Sequence, residues 1–106
     1  MVNPKNVNFP LTLAAFTALQ EAELGRKAED LEQEVFALIV EMANEAFTAG
    51  MLRNLTQYRQ LLAAISAVDT DGDPFLCHLC ALSRGWIIEG FRRGLELPPQ
   101  SSAMPS

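Results

Sequence analysis

Apolar residues recur at intervals of three and four along most of this chain, the period of a helix rather than of a strand. The clearest run is Ala28, Leu31, Val35, Leu38, Met42 and Ala46, one face of a helix expected over about 26–49. Phe36, Val40, Ala43 and Phe47 form a second stripe beside it, which widens that face enough for burial on two sides. Glu29, Asp30, Glu32, Glu34, Glu41 and Glu45 keep the remainder wet. No run of alternating β-branched residues, joined to another by a tight hairpin turn, competes as a strand.

The punctuation divides the rest into three more helices. Pro10 can occupy the first turn of a helix over about 10–24, where its missing N–H costs nothing. Gly25 separates it from the second helix, and Gly50 is expected to close that second helix as a C-cap. A third helix is expected over about 51–68, with Leu55, Tyr58, Leu62 and Ile65 on one side. Asp73 followed by Pro74 reads as an N-cap with proline at the first helical position, starting a fourth helix over about 74–97 that Pro98-Pro99 stops. The expected architecture is therefore all-α: one domain over 9–97, an antiparallel four-helix bundle with short loops. Residues 1–8 and 98–106 are expected to be flexible termini.

Composition adds a hint of association. The chain is 49% apolar and only 20% charged, a high apolar share for 106 residues, so a homodimer or a partner helix is expected to cover part of it. The net charge of −5 argues against generic binding to nucleic acid or anionic membranes. Charge is also segregated: residues 21–45 hold eight acids against Arg26 and Lys27, whereas 46–68 hold no acid, only Arg53 and Arg59. Two cysteines cannot build a disulfide framework, the start lacks the apolar core of a signal peptide, and the strongly apolar stretch containing 37–40 is bracketed by Glu34 and Glu41. No membrane span and a cytoplasmic location are the expectation.

The rarest side chains cluster at Cys77-His78-Leu79-Cys80, the only histidine between the only two cysteines. On a helix begun at Asp73, Cys77 and Cys80 lie about 60° apart, whereas His78 and Cys80 lie about 160° apart. One metal ion cannot take all three, and no other Cys or His supplies a fourth ligand. No metal or cofactor is therefore expected, and Cys80 reads as a small core residue with Cys77 packed at the boundary. What survives is Cys77-x-x-Cys80 as a thiol-redox pair near a helix start. In that one respect the stretch is similar to the all-helical alkylhydroperoxidase-D-like peroxidases, which carry CxxC on a helix. The resemblance spans four residues: the histidine that family places four residues after its second cysteine is Arg84 here, and its upstream acid has no counterpart.

Two further motifs stay partial. Asp69-x-Asp71-x-Asp73 matches the opening of an EF-hand loop, but Pro74 stands where glycine is needed and Cys80 where a bidentate Glu is needed. The acid-free third helix, with Arg53, Asn54, Gln57 and Arg59, has the order of a helix-turn-helix reader of DNA. Gly85, Gly90 and Gly94 interrupt the fourth helix, and Gly90 and Gly94 share a face that admits another helix closely, inside one bundle or between chains. Nothing names a reaction: there is no phosphate loop and no nucleophile with a base. The reading is a small non-catalytic interaction, adaptor or regulatory protein acting through Trp86, Phe91 and Leu95, with Arg92 and Arg93 at the rim. The DNA-binding regulator and the CxxC thiol protein are the alternatives.

Overall fold

Each helix in the computed structural model, which describes residues 8–97, begins where a side chain satisfies the free backbone N–H groups of its first turn. In α1 (Leu13–Leu24) it is Thr12, whose hydroxyl accepts from the Ala15 N–H at 3.1 Å. In α2 (Asp30–Met51) the Glu32 carboxylate reaches back to the Glu29 N–H at 2.8 Å, as in a capping box. In α3 (Leu55–Ser66) Asn54 accepts from the Gln57 N–H, and in α4 (Pro74–Glu96) Asp73 accepts from the Phe75 N–H with Pro74 at the first helical position. No strand occurs among the described residues.

These caps correct several expected boundaries. Pro10 lies outside α1, because Thr12 is the residue with an acceptor to offer. Ala28 sits in the loop before α2, its N–H donating to the Glu21 carboxylate at 2.9 Å. Gly25 turns the chain at φ 72°. Gly50 caps nothing: it lies inside α2 and is buried, and the turn that follows is made by Arg53 at φ 53°. The third helix is shorter than 51–68 by four residues at its start and two at its end. Of the termini expected to be flexible, 1–8 and 98–106, all but residue 8 lie outside the described residues.

Helices adjacent in sequence run antiparallel. Asn44 clamps the lead-in to α1, accepting from the Leu11 N–H at 2.6 Å and donating to the Leu11 carbonyl at 2.9 Å. Further along, Phe16 of α1 meets Phe36 of α2 edge-on at 5.5 Å. Tyr58 stacks on Phe91 at 3.9 Å while Ser66 meets Arg84, so α3 runs against α4. The closest packing, however, joins α2 to α4, and that pair is parallel. A Cβ on Gly90 would strike the Ala43 carbonyl, and one on Gly94 would strike the Phe47 carbonyl and the Gly50 backbone. The absence of side chains at these three positions is what lets the two backbones touch.

The α2–α4 pair divides the core in two. On one side α1 closes a cluster of Leu11, Phe16, Phe36, Ile39, Val40, Ala43 and Trp86. On the other, α3 closes a cluster of Ala46, Ala49, Ile65, Ile87 and Phe91. Parallel helices place their negative C-terminal dipole ends side by side. Arg53 lies between these ends, its guanidinium donating to the carbonyls of Gly50, Leu95 and Leu97 at 3.2, 3.0 and 3.1 Å.

Candidate functional site

The aromatic residues expected on a binding face are core residues. Trp86 is 4% exposed and takes Phe16 edge-on at 5.2 Å; Phe91 is 8% exposed beneath Tyr58. Their wheel position beside Gly90 and Gly94 carries them inward with the glycine seam. The rim arginines are committed inside the chain as well. Arg92 is paired with Glu89 and Glu96 at 3.0 Å each, and Arg93 donates to Glu89 at 2.7 Å and lies over the Phe9 ring. The hydrogen bond from Arg92 to Glu89 raises the arginine's pKa further above its ordinary value. Only Leu95 of the five keeps a substantially exposed apolar side chain.

The residues of the DNA-reading hypothesis are dispersed in role. Arg53 caps two helix ends and Asn54 caps a third, so the structure spends both on its own backbone. Gln57 is half-buried and lines a shallow hollow with Glu41, Asn44, Glu45 and Thr48, an acidic setting for a phosphate contact. Of these four, Arg59 is exposed and makes neither an ion pair nor a side-chain hydrogen bond among the described residues.

The aspartate loop is likewise structural. Asp69 accepts from the Asp71 N–H at 3.0 Å, Asp71 takes φ 49°, and Asp73 caps α4. No group of three or more His, Cys, Asp or Glu among the described residues is placed to hold a metal. His78 is exposed, pointing away from Cys80 as the helix wheel requires. The two cysteines are free, and Cys77 is exposed rather than packed, its thiol donating to the Thr70 hydroxyl at 3.4 Å. Cys80 is half-buried against the α3-side cluster.

The surface that sequence reasoning missed is on α2. Leu31, Leu38, Met42 and Ala49 fall within about 40° of one another on the helix wheel. Ala49 and Met42 are packed into the α3-side cluster, yet Leu31 is 65% and Leu38 59% exposed. The reason is length. α2 and α4 have 22 and 23 residues and α3 only 12, so α3 covers the C-terminal part of the stripe and stops at Ser66. Val35 lies between the two leucines and is half-buried. Glu34 and Glu41, both exposed, follow Leu31 and Leu38 by three residues and line one edge of the strip. The signal was present in the sequence as the full stripe from Leu31 onward; what it lacked was any sign of where its cover would end. No helix of the described residues is long and apolar enough to cross a membrane. Comparison with protein families, with curated proteins and with solved structures gave no match.

Proposed function

We propose that this chain is a helical interaction module that receives an amphipathic helix of a partner protein on the strip Leu31–Val35–Leu38. The observation that carries this reading is that the α2 stripe covered by α3 at Met42 and Ala49 is bare at Leu31 and Leu38. Exposed leucines in register with a buried stripe form a ready seat for one more helix. The open segment of α2, residues 30–41, is about 18 Å long, enough for a helix of about three turns.

Charge selects the occupant. With Glu34 and Glu41 along one edge, the incoming helix carries Lys or Arg beside its apolar face. A second copy of this chain, docked antiparallel through the same strip, would set those glutamates against their own counterparts, in a molecule already at −5. This reading therefore replaces the homodimer with a basic, heterologous helix, and moves the surface from Trp86 and Phe91 to Leu31 and Leu38.

The test uses two synthetic helices with the same leucine spacing, one flanked by lysine and one by glutamate, titrated against the full chain by fluorescence anisotropy. The lysine helix is expected to bind, more weakly as salt rises, and the glutamate helix is not. Leu38→Asp is expected to weaken binding by about tenfold or more. If neither helix binds, or if light scattering finds a stable dimer that Leu38→Asp dissociates, the reading is wrong.

A further inference from the structure

We infer that the cleft between the end of α3 and the first turns of α4 is a dithiol exchange site. In it Cys77 attacks a low-molecular-weight disulfide bearing a carboxylate, and Cys80 resolves the mixed disulfide. This inference uses no feature of the leucine strip and stands or falls separately from it.

The cleft has a volume of about 240 Å³, and Cys77, Cys80, Thr70 and Arg84 all line it. The helix that aims His78 elsewhere brings the two thiols to one wall. Residues three apart on a helix have Cα atoms about 5 Å apart, inside the range a disulfide spans without moving the backbone. The two thiols are also unequal in access, as sequential chemistry needs. Cys77 is exposed to an incoming molecule, and Cys80 sits half-buried behind it. Thr70 holds the Cys77 sulfur from the loop side at 3.4 Å. On the same wall, Arg84 stands one turn beyond Cys80 on the same face of α4. Its guanidinium is steadied by the Ser66 hydroxyl at 3.1 Å and has no carboxylate partner within the described residues. A fixed cation beside two thiols suits a small disulfide that carries a carboxylate.

The chemistry balances within these groups. Cys77, as thiolate, attacks one sulfur of R–S–S–R; the substrate S–S bond breaks, and the departing thiolate takes up the proton that Cys77 released. Cys80 then attacks the Cys77 sulfur of the mixed disulfide. The second RS⁻ leaves with the proton from Cys80, and a Cys77–Cys80 disulfide remains. Two substrate sulfurs are reduced, two protein sulfurs are oxidised, and a dithiol reductant runs the sequence backwards.

The full chain is incubated with glutathione disulfide, which carries carboxylates, or with cystamine, which carries only amines, and followed by intact mass. The wild-type chain is expected to lose two hydrogens without retaining an adduct. Cys80→Ser is expected to stop at one glutathione per chain, and Cys77→Ser to react far more slowly. Arg84→Gln is expected to slow the glutathione reaction about fivefold while leaving the cystamine reaction no slower, since its ammonium groups lose a repelling neighbour. The comparison of the two disulfides within one variant controls for any loosening of the α3–α4 contact. A wild-type chain that stops at a stable mixed disulfide shows Cys77 to be a surface thiol only and overturns the proposal. So does an Arg84→Gln effect equal for both reagents.

Discussion

The two ends of the α2–α4 pair are built by opposite means. Toward the C-terminal end the backbones meet through Gly50, Gly90 and Gly94, α3 covers the outer stripe, and Arg53 ties both helix ends together. Toward the N-terminal end the same pair is covered by α1 on one side only, and the other side shows Leu31, Leu38 and the thiol cleft to solvent. One end is covered by α3 and tied by Arg53, and the other is covered on one side only. Close packing is concentrated at one end, and exposed leucines and a thiol-lined cleft are left where a 12-residue helix runs out beside two nearly twice its length.

Substitutions that separate the two ends sharpen this contrast. The largest effect is expected from Gly94→Ala, whose Cβ would meet backbone rather than a movable side chain; it should cost about 3 kcal/mol in urea unfolding. Gly85→Ala, on the same helix with open space around it, is expected instead to gain about 0.5–1 kcal/mol. Equal effects at the two glycines would refute the seam. Next comes Arg53→Ala, which leaves the carbonyls of Leu95 and Leu97 without the guanidinium that joins them to the end of α2 and should lower stability by about 1–2 kcal/mol. The double change Leu31→Ser and Leu38→Ser is expected to move the unfolding midpoint by no more than about 0.5 kcal/mol, because neither side chain is packed. A large loss there would mean the strip is already covered within the chain.

The smallest expected effect concerns acid. Glu32 is held down to about 2 from an ordinary 4.5, first by the hydrogen bond from Arg26, then by the Glu29 N–H it accepts, and by the Arg26 charge. A carboxylate depressed on folding contributes stability that is complete above its ordinary pKa, and loses that contribution as pH falls from about 4.5 through about 2. Glu32→Gln should therefore flatten this part of the stability–pH curve and leave its neutral arm parallel to wild type.

Local signals were legible where local physics decides. The Asp73-Pro74 start of α4 and the order of four helices follow from caps, proline and a 3.6-residue period. Boundaries slipped where two local rules competed, as at Pro10 against Thr12, or at Gly50, where glycine serves close packing instead of a cap. The candidate site was the hardest part. Trp86 and Phe91 carry the composition of an interface, and only the glycine seam beside them tells that they point inward.

What the sequence by itself determined is the set of helices, their antiparallel neighbours and the separation of His78 from the cysteine pair, because each depends on residues within a few turns of one another. What only the tertiary structure decided is which apolar stripe is covered, which arginines are already engaged, and that α2 and α4 run parallel in direct contact. Those depend on helix lengths and backbone separation across distant segments. A leucine reads the same whether the helix opposite it reaches that far or stops at Ser66.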